Sequence, residues 1–155
     1  MSRTRFFAAI LFVLGSVLLG SSCLVVEQTT EAPQEKPEKD GVLIHISHGE
    51  DEARRVLTGL KMAEMMAESK DVLVYFDIEG VEIVLKDSED LEYNHLSSSK
   101  TQIEKLLDKG VYIYVCPDCL KAAGKDPEDV ADGVRIAKKE KLFSFTKGRI
   151  LTLDY

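Results

Sequence analysis

Several classes of protein need chemistry that this chain lacks. Its 20 lysines and arginines are outnumbered by 27 aspartates and glutamates, which gives a formal net charge of −7. No basic patch or arm is left to hold phosphate backbones, so we expect no binding to nucleic acid. Three cysteines are too few for a disulfide scaffold, and tryptophan is absent.

The remaining composition is that of a folded protein. Of the 155 residues, 45% are hydrophobic and 30% are charged. These are ordinary proportions for a globular domain, so disorder throughout the chain is excluded. The length suits one domain with a short extra segment.

The first residues have the pattern of a targeting signal. Arg3 and Arg5 precede residues 6–26, which carry no charge. A basic start, an apolar run and the small residues of Gly20-Ser21-Ser22-Cys23 are typical of a bacterial lipoprotein signal. We therefore expect residues 1–22 to be a signal peptide and Cys23 to carry the lipid. An uncleaved membrane anchor and simple secretion are the alternatives.

The lipoprotein and the anchor predict the same topology, because the basic end of the segment stays in the cytoplasm. We thus expect the protein to be exported and membrane-anchored, facing the periplasm. Residues 23–40 are acidic and poor in apolar side chains, which indicates a flexible tether. Residues 41–155 are left as the folded domain.

Within that domain, strand patterns alternate with helix patterns. Short runs rich in β-branched and aromatic residues predict buried strands at 42–47, 72–77 and 111–116, and weaker ones at 134–137 and 149–154. Helical spacing of apolar residues covers 53–67 and 103–107, with shorter helical segments at 80–86 and 142–145. This alternation predicts a small three-layer α/β fold, a mostly parallel five-stranded sheet flanked by helices.

Residues with reactive or polar side chains follow the three central strands. His48 follows the first strand, Asp77 ends the second and Cys116 ends the third. Since ligands of parallel sheets bind beyond the carboxyl ends of the strands, we predict that His48 and Asp77 bind substrate beside Cys116 and Cys119. His45 lies inside a strand pattern and is predicted to be a packed, hydrogen-bonded residue.

The Cys116-Pro117-Asp118-Cys119 turn is the sharpest chemical feature. Pro117 suits the first position of a helix, and the free N–H groups of a helix start favour thiolate over thiol. Four interpretations stay open at this point: a reactive cysteine that carries sulfur or exchanges disulfides, a thioredoxin-type redox site, a metal site, and a structural turn. The metal interpretation is the weakest, because one such pair supplies two of the four ligands of a structural zinc. No cofactor is predicted.

The residues around this turn resemble a known family. The motif Val115-Cys116-x-x-Cys119-Leu-x-Ala-x-Gly124, the acidic short helix after it and Gly133-Val-Arg-Ile are similar to the DsrE/DsrF/TusD-like family. The resemblance implies a small α/β fold and a homo-oligomer, a trimer or hexamer. It also implies a role for Cys116, because in the sulfur relay members the cysteine at this position accepts sulfane sulfur as a persulfide and passes it on.

The leading hypothesis is therefore a membrane-tethered sulfur-handling protein. A persulfide or polysulfide donor would load Cys116, an unidentified thiol would accept the sulfur, and Cys119 would act as a resolving thiol. As an enzyme, such a protein would be a sulfurtransferase or persulfide carrier. The alternative is a non-enzymatic oligomeric binding module of the same fold with a structural Cys-x-x-Cys turn. A weaker third hypothesis is capture of a thiophilic metal by the pair.

Overall fold

The computed structural model describes residues 38–155. The predicted signal peptide, the lipidation site Cys23 and most of the predicted tether lie outside these residues. Asp40 is described, and its carboxylate forms an ion pair with Arg149 at 2.9 Å. Between residues 38 and 155, no helix combines the length and the apolar character that crossing a membrane requires.

Nine regular elements make up the described part of the chain. The strands are β1 (Gly41–Ile46), β2 (Asp71–Phe76), β3 (Tyr112–Val115), β4 (Arg135–Ile136) and β5 (Ile150–Asp154). The helices are α1 (Ala53–Met66), α2 (Ser99–Asp108), α3 (Pro117–Ala122) and α4 (Lys139–Leu142). Single 3₁₀ segments cover Glu50–Glu52, Ile78–Val84 and Pro127–Asp129.

The five strands form one sheet in the order β4-β3-β2-β1-β5, and every neighbouring pair is parallel. The predicted fold class is therefore confirmed. The chain moves in one direction across the sheet from β1 to β4 and then returns to β5 at the far edge. Because crossovers between parallel strands are right-handed, the first connections and the last one lie on opposite faces.

The face covered by the longer helices holds most of the core. Side chains of β1, β2 and β3 that point to this face pack against α1 and α2. The strands contribute Ile44, Ile46, Val74, Phe76, Ile113 and Val115, and the helices contribute Val56, Leu57, Leu60 and Leu106. Near-continuous apolar strands are the expected consequence of burial on both faces. Packing against α1 and α2 on this face fixes the positions of β1, β2 and β3.

The second face has a thinner cover. Leu43, Leu73 and Tyr114 are buried there under the returning connection, which contributes Leu142 and Phe145. The helix of this connection is α4, which begins and ends three residues earlier than the predicted turn at 142–145. Leu142 ends the helix and Phe145 follows it, so both apolar side chains still reach the sheet.

Two other predicted elements differ from the structure. The predicted helix at 80–86 is a 3₁₀ segment, Ile78–Val84, and it begins directly after Asp77. Gly80 in this segment lies against the carbonyl oxygen of Ile46, where a Cβ atom would clash. The close approach fixes the segment after β2 against the end of β1. The predicted strand 134–137 shortens to two residues, because β4 pairs only with the last part of β3.

Replacing Leu60 with alanine is expected to lower the free energy of unfolding by about 3 kcal/mol, since the side chain is fully buried and its loss leaves a cavity. Urea unfolding of the full chain measures the change. The matched control is Leu151→Ala, which removes the same atoms from a side chain that is 59% exposed. The control is expected to change stability by about 0.5 kcal/mol or less, and equal losses in both variants would contradict this description of the core.

Candidate functional site

The candidate site lies at the carboxyl edge of the sheet, where β3 and β4 end. The chain leaves β3 towards the face of α1 and α2, where Leu120 of α3 is buried, and leaves β4 towards the opposite face. Neighbouring strands whose connections leave to opposite faces open a crevice at their carboxyl ends, the usual ligand position in such sheets. Cys116 lies here, and its N–H donates to the carbonyl of Phe76 at 2.9 Å.

Cys116 and Cys119 face each other across the first turn of α3. Cys116 is the N-cap residue, Pro117 occupies the first helical position, and the N–H of Cys119 donates to the Cys116 sulfur at 3.3 Å. A cysteine sulfur thus takes the place that a Ser or Asp oxygen usually holds at a helix start. Both thiols are partly exposed and neither is in a disulfide.

The two thiols have opposite electrostatic environments. Burial opposes ionisation of Cys116, but hydrogen bonds from the Cys119 thiol, the Tyr75 hydroxyl and the backbone N–H groups of Cys119 and Asp118 outweigh it and lower its pKa. Burial raises the pKa of Cys119, and the neighbouring Cys116 thiolate raises it further. Cys116 is therefore the more acidic thiol of the pair, the one that forms a thiolate more readily, and Cys119 is the less acidic one.

Tyr75 is the side chain that reaches Cys116 from the neighbouring strand. Burial raises the pKa of its phenol, and the hydrogen bond to the Cys116 thiolate raises it further. The hydroxyl consequently keeps its proton and donates it in a hydrogen bond to sulfur. Tyr75 pairs with Tyr114 in the register of β2 and β3, which places its side chain directly beside the end of β3.

His45 joins this site to the edge strand. Its Nδ1 lies 2.7 Å from a carboxylate oxygen of Asp154, and its Nε2 lies 2.8 Å from one of Asp77. Its ring stacks on Tyr75 with centroids 5.8 Å apart. Burial lowers the pKa of His45, but the hydrogen bonds to the two carboxylates outweigh burial and raise it.

The backbone beside Asp77 is strained. Ile78 has a φ of 48°, a conformation that costs a β-branched residue free energy. Its N–H donates to the Cys119 sulfur. The strained residue therefore aims a backbone donor at the second thiol of the pair.

The structure brings together three of the four residues predicted for the site. Cys116 and Cys119 are in contact, and Asp77 is linked to them through the Ile78 backbone. His48 has a different environment, because its ring nitrogen accepts from Arg55 of α1 at 2.8 Å. Its predicted role in binding substrate stays a prediction.

Sequence reasoning missed the roles of His45, Tyr75 and Asp154. His45 is hydrogen-bonded as predicted, but its partners are site carboxylates and its side chain is 27% exposed. Strand alternation could have indicated these residues. Side chains two residues apart on a strand point to the same face, so His45 and Tyr75 share a face with positions 47 and 77, which directly follow β1 and β2. Within residues 38–155, no group of three or more His, Cys, Asp or Glu side chains could hold a metal ion.

The fold and the site define a small parallel α/β protein with a cysteine of lowered pKa at the carboxyl edge of its sheet. Residues 40–147 match the DsrE/DsrF-like family, so the chain belongs to that family, which is associated with sulfur relay. Comparison with curated proteins finds no match.

Solved structures share the fold. The ychN protein from E. coli has a TM-score of 0.58 and 19% identity, covering 76% of this chain and 100% of its own. MTH1491 from Methanobacterium thermoautotrophicum, a protein of unknown function, has a TM-score of 0.55 and 22% identity, covering 74% of this chain and 99% of its own.

The raised pKa of His45 predicts how stability depends on pH. A group whose pKa is higher in the folded state stabilises the fold fully below its unfolded pKa, near 6.5, and this contribution is lost as pH rises through the folded value. The free energy of unfolding is thus expected to fall as pH rises from 6.5 through the raised pKa of His45. Urea unfolding at a series of pH values measures this.

The variant His45→Gln is expected to remove that pH-dependent fall, because glutamine does not titrate. His95→Gln is the control, since His95 is exposed in the loop before α2, and it should keep the wild-type profile. The same slope in wild type and in His45→Gln would contradict the assignment.

Proposed function

We propose that this protein is a membrane-tethered sulfur carrier in which the Cys116 thiolate accepts sulfane sulfur. The observation that carries the proposal is the hydrogen bonding at Cys116, where side-chain and backbone donors from Tyr75, Asp118 and Cys119 converge on one sulfur and lower its pKa. Membership of a family associated with sulfur relay supports the same chemistry.

Loading is a substitution at sulfur. The Cys116 thiolate attacks the outer sulfur of a persulfide, R–S–SH, a new S–S bond forms, and the bond to the inner sulfur breaks. The thiolate R–S⁻ leaves with the electron pair, and the product is the persulfide Cys116–S–SH. A polysulfide donor reacts in the same way, with a shorter polysulfide as the leaving group.

Release follows one of two routes. An acceptor thiolate attacks the outer sulfur of the loaded Cys116 and takes it away, which restores the Cys116 thiolate. Alternatively, the Cys119 thiol gives its proton to solvent, and the resulting thiolate attacks the inner sulfur, forms a Cys116–Cys119 disulfide and expels hydrosulfide, HS⁻. In the second route the two cysteines are oxidised and the carried sulfur is reduced to sulfide. The closeness of Cys119, whose backbone N–H lies 3.3 Å from the Cys116 sulfur, supports this resolving role.

The alternative of a binding module with a structural Cys-x-x-Cys turn implies ordinary or raised pKa values at both thiols. The lowered pKa of Cys116 favours the carrier. Assembly as a homo-oligomer, a trimer or hexamer, remains part of the proposal. It is supported by the thin cover of the second sheet face, where Tyr112 and Ile150 are partly exposed on β3 and β5.

Polysulfide added to the reduced full chain is expected to add sulfur atoms to Cys116, detected by intact mass and peptide mapping. Cys116→Ser should abolish this mass increase, because serine supplies no thiolate. Extra sulfur that persists in Cys116→Ser at another residue would contradict the assignment of the carrier.

Cys119→Ser is the matched variant, since it removes one sulfur atom from the same turn but keeps the nucleophile. It is expected to load normally and to hold sulfur several-fold longer than wild type, because the internal disulfide cannot form. A shorter lifetime of the loaded state in Cys119→Ser would count against the resolving role.

The proposed tether depends on a lipid at Cys23. Cys23→Ser is expected to move the protein from the membrane fraction to the soluble or secreted fraction if residues 1–22 are a lipoprotein signal. Fractionation with detection of labelled fatty acid measures this. A Cys23→Ser protein that stays in the membrane would favour the uncleaved anchor.

A further inference from the structure

A row of side chains crosses the second face of the sheet just below Cys116. The strand registers place Asp154, His45, Tyr75 and Tyr114 opposite one another on β5, β1, β2 and β3. The row is joined by contacts as well as by register, since His45 bonds to Asp154 and stacks on Tyr75. The row links the edge strand β5 to Tyr75, whose hydroxyl donates to the Cys116 sulfur.

Asp77 places a negative charge close to Cys119. Its carboxylate is 19% exposed, and the N–H of the next residue binds the Cys119 sulfur. A carboxylate in this position opposes the formation of a thiolate nearby. The cysteine pair therefore needs a positive charge that cancels Asp77.

His45 supplies that charge when its ring is protonated. Among residues 38–155, it is the only cationic side chain within salt-bridge distance of Asp77 or Asp154. The titratable groups that face it are Asp154 from β5, Tyr75 from β2 and Asp77 directly after β2. A protonated ring donates to both carboxylates at once and leaves the pair of them with one net negative charge.

We propose, on the basis of the sulfur-carrier function proposed above, that His45 is a positioning residue for the cysteine pair. Its imidazolium neutralises Asp77 beside Cys119, and its ring holds Tyr75 in place against Cys116. The Tyr75 hydroxyl acts on the Cys116 sulfur directly, whereas His45 acts through Tyr75 and Asp77.

The test is a titration of the thiols in the full chain. The rate of reaction with iodoacetamide is followed against pH, and peptide mapping identifies the alkylated cysteine. In His45→Gln the pKa of the more acidic thiol is expected to rise, so that alkylation of Cys116 at neutral pH slows about tenfold for each unit of that rise. Tyr75→Phe should slow it in the same direction, because the hydroxyl donor is lost.

A second substitution separates the charge effect from structural damage. The double variant His45→Gln, Asp77→Asn also removes the Asp77 carboxylate, whose negative charge has no cationic partner once His45 is replaced. It is expected to restore most of the reactivity that Cys116 loses in His45→Gln. A residue with only a structural role would not be rescued, since the double variant has lost both partners of the contact. His95→Gln and Tyr112→Phe are the matched controls, and both should titrate like wild type.

Asp154→Asn keeps the proposal testable if His45→Gln does not fold. Asp154 is 71% exposed and lies on β5, away from β3 in the sheet. Its loss weakens the protonation of His45, so the same titration should move in the same direction by a smaller amount.

Three outcomes decide the matter. Unchanged thiol titration in both His45→Gln and Asp154→Asn, or a double variant no more reactive than His45→Gln, overturns the role of His45. A shift in the single variants with rescue in the double variant supports it. Because alkylation involves no carried sulfur, a wild-type protein that fails to load from polysulfide overturns the sulfur-carrier proposal and leaves the titration result standing.

Discussion

Parallel pairing in a single register along β1, β2 and β3 is the constraint on which the site depends. It places His45 opposite Tyr75, Tyr75 opposite Tyr114, and the ends of all three strands at one edge. A shift of one residue in any of these strands would turn its side chains to the other face. The register is secured by the apolar side chains of the opposite face, which pack against α1 and α2. The side chains of His45, Tyr75 and Tyr114 on the second face thus owe their alignment to the apolar core on the first face.

The pKa of Cys116 is lowered because nearby hydrogen-bond donors outweigh the effect of burial, which alone would raise it. Burial raises the pKa of a thiol unless hydrogen-bond donors outweigh it, and at Cys119 the single donor, the Ile78 N–H, does not. Cys116 differs because it is the N-cap of α3 and because Tyr75 reaches it from β2. The pKa values of two cysteines three residues apart are therefore shifted in opposite directions by their positions in one short turn. This asymmetry is what a nucleophile and a resolving thiol require.

Much of this could be predicted from the sequence. The apolar runs of β1, β2 and β3 and the helical spacing of α1 and α2 are strong local patterns, and all five elements are present. The weaker patterns were less accurate: β4 is shorter than predicted, and α4 lies earlier in the chain. In these short segments, contacts with the second face of the sheet decide the boundaries, and sequence periodicity does not report such contacts. His48 shows a similar limit, because its position after β1 did not reveal that Arg55 of α1 binds it.

The sequence by itself determined the α/β class, the place of Cys116 at the end of a strand and the pairing with Cys119. These features depend on local periodicity and on the spacing of a short motif. Only the tertiary structure decided which cysteine has the lower pKa and which residues surround it. His45, Tyr75 and Asp154 come from different strands, and strand order and register bring them close together in space. The energies that perturb a pKa act over a few ångströms in space, and distance along the chain does not determine them.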